Sequence, residues 1–368
     1  MDGYRSRLLF IPLLSFILFS SSCSDKPAEV SKGFYAWRTS DPEHQERKFL
    51  KKQGVQKLYK RLLDVDWGGL QGPVPVAETS MYGVNYALHI YDSVDIEIIP
   101  VIFITNKTFE KIDSAGILLL AKRLVRRCFP AYDSIDKVYE EQTYEWGDRH
   151  PLQIKEIQFD CDWTVKTAPK YFSFLNEVKK LLPSNSIKIS ATIRLHQYKY
   201  VSKTGVPPVD RGMLMMYNIS DPKKYSPVNS IFDKKEAAAY FTSNKKYPLP
   251  LDITLPAWQW CIIFRNGKFY QVENGLTEDD LRKASFLKPT GNHFYAVTKD
   301  TVYRELFLRP GDEIKAEAVD EASLAAAAKL ARSAVNSDKF TVSFFELTYK
   351  DIQQYSDETF DKLYSSFR

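Results

Sequence analysis

The chain has 368 residues, of which 44% are hydrophobic and 14% aromatic. That is ample for a real core, in one large domain or two ordinary ones. Its formal charge of +5 is spread along the sequence without a basic block, so no nucleic-acid partner is indicated.

The amino terminus reads as a targeting segment. Arg5 and Arg7 precede an apolar run over residues 8–19, and Ser20, Ser21, Ser22 and Cys23 follow. A charged, then apolar, then small-residue order is that of a secretory signal, and the run is too short to span a bilayer as a helix. Small residues directly before a cysteine resemble a bacterial lipobox, although Ser20 stands where leucine is usual. The expectation is a signal peptide over residues 1–22, a lipid anchor at Cys23 and a polar tether over residues 23–32. The location implied is the cell envelope, as an outer-membrane lipoprotein, periplasmic or surface-exposed. Ser24 in place of aspartate after the cysteine favours the outer membrane. The alternative is an ordinary signal peptide cut near Cys23.

From residue 33 the chain alternates strand and helix signals. Residues 33–39 (GFYAWRT) are the first strand candidate, and Asp41-Pro42-Glu43 opens a helix to about Lys52. Residues 57–67 (KLYKRLLDVDW) form the second and end in alternating acids, Asp64 and Asp66. A Gly/Pro-rich loop follows over residues 68–75. Residues 97–105 (EIIPVIFIT) are apolar almost throughout, as buried parallel strands are. An amphipathic helix is expected over residues 114–128, and a polar, aromatic excursion over residues 129–151.

The stretch at residues 156–164 (EIQFDCDWT) carries the strongest pattern. Ile157, Phe159, Cys161 and Trp163 alternate with Gln158, Asp160 and Asp162, the period of a strand with two unlike faces. One face packs under helices, and the other ends in two carboxylates side by side. A helix start follows, with Thr167 as candidate cap and Pro169 just inside. Further strands are expected over residues 187–195, 212–219, 249–263 and 339–347, with helices at residues 234–241, 322–335 and 357–367. Residues 265–314, mixed and turn-rich, suit a small antiparallel subdomain.

Eight strands mostly separated by helices predict an α/β fold, a (β/α)8 TIM-type barrel over residues 33–368 with a small subdomain inserted before the last strand. The alternative is a doubly wound open sheet, for which the Gly-rich turn after the first strand is missing. If all eight strands run parallel, the residues at the mouth are Tyr35, Trp37, Asp64, Asp66, Asp160, Asp162, Arg194, Tyr217, Asn218, Trp258, Trp260 and Glu346. Carboxylates, flat aromatic rings and one arginine suit a carbohydrate cleft. Glycoside hydrolysis needs a protonated acid and an anion. Asp160 beside Asp162 raises one pKa by repulsion, and Arg194 holds the other ionised.

Structural readings stand beside these. Asp64 and Asp66 can cap a loop, and Glu346 can be a solvated strand end. Trp258 and Trp260 can be core or rim packing, and Arg194 can simply neutralise the aspartates. Beyond Cys23, the odd set Cys128, Cys161 and Cys261 implies no disulfide framework. Neither the cysteines nor the five histidines have metal-ligand spacing, and no cofactor motif is present, so no metal or cofactor is expected.

Residues 159–164 (FDCDWT) resemble the fourth-strand motif D-x-D-x-E of family 18 glycoside hydrolases, and Met215-Met216-Tyr217-Asn218 is similar to their sixth-strand M-x-Y-D. The resemblance implies that Asp162 orients a substrate acetamido group and that Tyr217 assists. Thr164 stands where that family has its acid glutamate, and Asn218 where it has aspartate. More broadly, residues 64–67 (DVDW), 159–162 (FDCD) and 255–258 (LPAW) resemble a group of Gram-negative TIM-barrel lipoproteins of unassigned activity. What is implied is a glycoside hydrolase-like protein with a glycan ligand, using Asp160, Asp162, Glu346 and Tyr217. The alternative is a barrel that binds glycans or partners without turnover.

Overall fold

The computed structural model describes residues 28–129, 153–242 and 246–368. The signal segment, Cys23 and nearly all of the excursion expected at residues 129–151 lie outside the described residues.

The strands, in chain order, are β1 (Glu29–Ala36), β2 (Lys57–Trp67), β3 (Pro73–Glu78), β4 (Glu97–Ile104), β5 (Glu156–Asp160), β6 (Lys188–Arg194), β7 (Arg211–Met215) and β8 (Leu251–Pro256). An insertion follows with β9 (Gln259–Arg265), β10 (Lys268–Glu273), β11 (Leu287–Gly291), β12 (Phe294–Val297), β13 (Thr301–Tyr303), β14 (Leu306–Leu308) and β15 (Asp312–Ala318), and β16 (Lys339–Phe345) comes last. The strands β1, β2, β4, β5, β6, β7, β8 and β16 pair in that order, and β16 closes on β1. Each of these pairings is parallel. The result is a closed eight-stranded barrel, as expected, and it excludes the open sheet. No helix among the described residues is long and apolar enough to cross a membrane.

Strand alternation sorts side chains between two cores. Ile157 and Phe159 of β5 face outward, where Phe159 meets Phe174 of the helix Ala168–Leu181 edge to face at 5.3 Å. Inside the barrel, Tyr35, Tyr59, Ile99, Val101 and Met213 form an apolar layer. A polar chain crosses beneath it. The Tyr35 hydroxyl donates to Gln158 at 2.5 Å, the Gln158 amide to Ser190 at 3.2 Å, and the Ser190 hydroxyl to Glu156 at 2.5 Å. Lys57 lies 3.4 Å from Glu156, and Arg211 binds Asp252 through two bonds of 2.9 and 3.0 Å. These pairs close the amino end of the barrel, so the cleft opens at the carboxyl end.

Four local features differ from the sequence expectation. First, β1 begins at Glu29, four residues early, because its backbone pairs with β16 from Lys339 onward. Residues 29–32 therefore belong to the barrel and not to a tether; Val30 packs against the core, and Lys32 pairs with Asp361 at 2.9 Å. Second, the link from β2 to β4 holds the antiparallel β3 and a short helix, Met81–Tyr86, capped by Ser80. Third, Thr167 occupies the cap position without capping. Its hydroxyl accepts from the Thr164 N–H at 2.9 Å and donates to Asn106 at 2.5 Å.

The fourth concerns the insertion, which runs wider than residues 265–314. Its antiparallel sheet, ordered β10-β9-β15-β12-β11, starts at Gln259 and ends at Ala318. The apolar run of β8 continues into β9, which hid the break after Pro256. The insertion has a core of its own, including Cys261, Ile263, Leu281, Tyr295 and Ile314. Among its ties to the barrel is a buried node. Glu317 accepts from the Ser230 N–H at 3.0 Å, the Ser230 hydroxyl at 2.5 Å and the Trp260 indole at 2.8 Å. Lys315 completes the node, pairing with Glu317 and donating to the Val228 carbonyl at 2.6 Å.

Candidate functional site

The mouth is built around an aromatic floor. The Phe345 ring, at the end of β16, has its centroid 5.1 Å from Trp258, 5.2 Å from Tyr217, 5.8 Å from Trp37 and 5.9 Å from Tyr35. Tyr217 in turn meets Trp258 edge to face at 4.9 Å. Sequence reasoning missed Phe345, although a signal existed: Thr341, Ser343 and Phe345 occupy every second position and share the inward face. Trp260 stands beside Trp258 at 6.0 Å, but its N–H is committed to Glu317.

On one side of the floor lie the acids of β5. Asp160 is 4% exposed and accepts from the Thr192 hydroxyl at 2.6 Å. Burial above all lifts its carboxyl to about 6; Arg194 opposes this and Asp162 adds to it. Asp162 is more open and is gripped by Arg194 through two bonds, from Nε and from Nη2, the latter at 2.9 Å. Arg194 is fixed from behind, since its backbone N–H donates to Gln197 at 2.8 Å. The hydroxyls of Tyr217 and Thr254 face one another, and both are buried without a well-formed hydrogen bond among the described residues. Burial pushes the Tyr217 phenol far up. Asn218 is exposed and left-handed at φ 54°, and its N–H donates to Ile231 at 3.0 Å. Thr164 is exposed too, its hydroxyl 3.2 Å from that of Thr167.

The acids of β2 are engaged as well. The register slips between Arg61 and Leu63, which moves Asp64 onto the inward row that Tyr59 and Arg61 begin. Arg61 binds Asp64 through two bonds, one of 2.7 Å, and lies 5.5 Å over the Trp37 ring. Arg61 was absent from the expected site because a simple alternation does not carry the bulge. Asp66 accepts from the Thr105 hydroxyl at 2.7 Å, which draws its pKa down, with Lys107 3.6 Å away.

Glu346 stands apart. It is half-buried, and among the described residues its carboxyl has neither an ion pair nor a hydrogen bond. Burial raises it to about 7, Asp351 and Glu46 push the same way, and Arg38 and Arg61 oppose. Among the described residues, no group of acids, histidines and cysteines has the geometry to hold a metal ion.

No protein-family model and no curated protein matches the chain. Solved structures do. A chitinase from Chromobacterium violaceum is 9% identical with a TM-score of 0.50, over 92% of this chain and 98% of that one. A GH18 chitinase from Cycas revoluta, in complex with (GlcNAc)3, is 10% identical with a TM-score of 0.48, over 92% and 99%. The spore cortex-lytic enzyme SleL of Bacillus cereus is 13% identical with a TM-score of 0.44, over 93% and 75%. What the chain shares with the Chromobacterium chitinase is its fold, the (β/α)8 barrel.

Proposed function

We propose that the barrel mouth receives a carbohydrate chain, and that the protein works at the cell envelope, anchored through Cys23. The observation that carries the first part is the aromatic cluster at the mouth, in which half-exposed Phe345 and Trp37 pack with buried Tyr35, Tyr217 and Trp258. Sugar rings present flat C–H faces that lie on such rings, and their hydroxyls suit the flanking carboxylates and arginines. The anchor is supported by Arg5, Arg7, the apolar run over residues 8–19 and the serines before Cys23.

Recognition without turnover is the reading the geometry supports best. Arg194 occupies Asp162, Arg61 occupies Asp64, and Thr164, which cannot donate a proton at ordinary pH, stands at the position the family resemblance gives to the acid. Hydrolysis is the second reading, and Glu346 is the reason to keep it. An unpaired carboxyl with a pKa near neutral is what a general acid needs.

A glycan and aryl-glycoside panel on protein starting after Cys23 tests both. Glycan binding without turnover is expected, with Phe345→Ala weakening it about tenfold, the order of one lost aromatic contact. Turnover abolished by Glu346→Gln, Asp160→Asn or Asp162→Asn in a folded protein would establish hydrolysis and name the residue. Neither binding nor turnover on any glycan would sink the carbohydrate reading.

A further inference from the structure

The place where the chain enters the barrel decides which way an anchored mouth can face. Glu29 pairs with Lys339, the first residue of β16, so the chain enters at the amino ends of eight parallel strands. Only residues 24–28 separate Cys23 from that point. A chain spans at most about 3.6 Å per residue, so Glu29 is held within roughly 20 Å of the anchored cysteine. The floor of Phe345, Tyr217 and Trp258 lies at the other end of the same strands. The eight residues of β1 extend about 26 Å at ~3.3 Å each, or about 20 Å along an axis tilted by ~36°. The insertion leaves the barrel from the carboxyl end of β8 and adds to the far side. To turn the mouth onto the bilayer, the tether would have to run down the outer wall of the barrel and round its rim, and it is too short.

We infer that anchoring at Cys23 seats the amino end of the barrel toward the bilayer and holds the mouth away from it. The glycan it takes is then a soluble or polymeric chain presented from the aqueous side, not a headgroup of the leaflet that carries the anchor. The inference rests on the lipid-anchored, glycan-directed reading above. In the anchoring step the Cys23 sulfur bonds to the diacylglyceryl carbon of a phospholipid, and the headgroup phosphate leaves with the bonding pair and takes up the thiol proton.

The test uses the full chain, lipidated at Cys23, on vesicles of phosphatidylethanolamine and phosphatidylglycerol containing a headgroup quencher. One fluorophore is placed by Val165→Cys, on the loop after β5 where the residue is 58% exposed, and another by Ser186→Cys, just before β6. The native Cys128, Cys161 and Cys261 are buried, so labelling is selective. The Ser186 probe should be quenched several-fold more than the Val165 probe, and a long Gly/Ser insertion after Ala28 should erase the difference. Equal or reversed quenching with the native tether would overturn the inference, as would mass spectrometry showing no lipid on Cys23. Reversed quenching would mean that exposed residues of the mouth-side β2–β3 hairpin, such as Leu70 and Val76, dock on lipid. The probes report orientation whether or not a glycan binds, so absence of glycan binding in both free and vesicle-bound protein counts against the cleft alone. Binding by the free protein that is lost on the vesicle counts against the outward mouth.

Discussion

Glu346 shows how a single residue at the mouth trades stability for a chemical state. Its folded pKa is raised from 4.5 to about 7, mainly by burial, so the folded protein holds its proton more tightly than the unfolded chain does. For a raised group the stabilisation is complete below the unfolded pKa and is lost as pH rises through the folded one. Glu346 therefore costs stability progressively between about pH 4.5 and 7. Glu346→Gln should leave the protein unchanged near pH 4 and stabilise it near pH 8, by on the order of 1–2 kcal/mol, since solvent screens a half-buried carboxyl in part. Thermal melts of both proteins across that range check this, and parallel curves would contradict it. Not every mouth residue could be read from local pattern. Asp160 and Asp162 stand out because alternation places them on one face, and Arg194 because it ends the neighbouring strand. Phe345 follows Phe344, so its residue type does not mark it, and only the row it shares with Thr341 and Ser343 points it inward. That Glu346 has no partner among the described residues depends on Arg38, which is held by Glu46 in a segment far away in the sequence, and on Asp351 in the turn that follows.

At the scale of elements, legibility followed periodicity. β2 and the helix Ser114–Cys128 have the expected limits, the helix because it carries a sustained pattern of one period and β2 because Gly54 and the Gly-rich loop from Gly68 bound it. Limits failed where two elements share a pattern or where backbone pairing extends a strand into polar residues, as at the β8–β9 break and the start of β1. The bulge in β2 is a case of its own, because an extra residue reverses parity and no local residue preference announces it. The node around Glu317 was likewise invisible, since Ser230, Trp260 and the pair Lys315 and Glu317 come from three separated stretches of chain. Glu317 supplies the only carboxylate partner of the buried Lys315 amine among the described residues. Glu317→Gln should thus leave a buried charge uncompensated and cost about 3 kcal/mol. Hydrogen exchange should rise first at residues 226–232 and across β9 and β15, while the amides of β5 and β6 stay protected. Uniform loss of protection would show that the insertion is not a separable unit.

Over the whole molecule, one closed sheet separates two environments, and that division predicts where a ligand can be sensed. The amino end is closed by the Glu156 and Asp252 pairs, and the outer face of the sheet is covered by helices. A glycan can therefore reach the aromatic groups inside the barrel only from the carboxyl end. Trp37 and Trp258 belong to that end. Trp163 does not: it is fully buried outside the barrel, stacked on Tyr171 at 5.3 Å with its N–H on the Thr204 carbonyl at 3.0 Å. If the mouth is the binding site, a bound glycan should change tryptophan emission and reduce acrylamide quenching. Trp37→Phe, at the half-exposed tryptophan of the mouth, should remove much of that response while keeping an aromatic ring against Phe103 and Phe345, and Trp163→Phe should leave it intact. Both variants need wild-type far-ultraviolet circular dichroism for the comparison to hold. A response that survives in the Trp37 variant and vanishes in the Trp163 variant would move the binding site from the barrel mouth to the helical layer. The aromatic floor would then be packing alone.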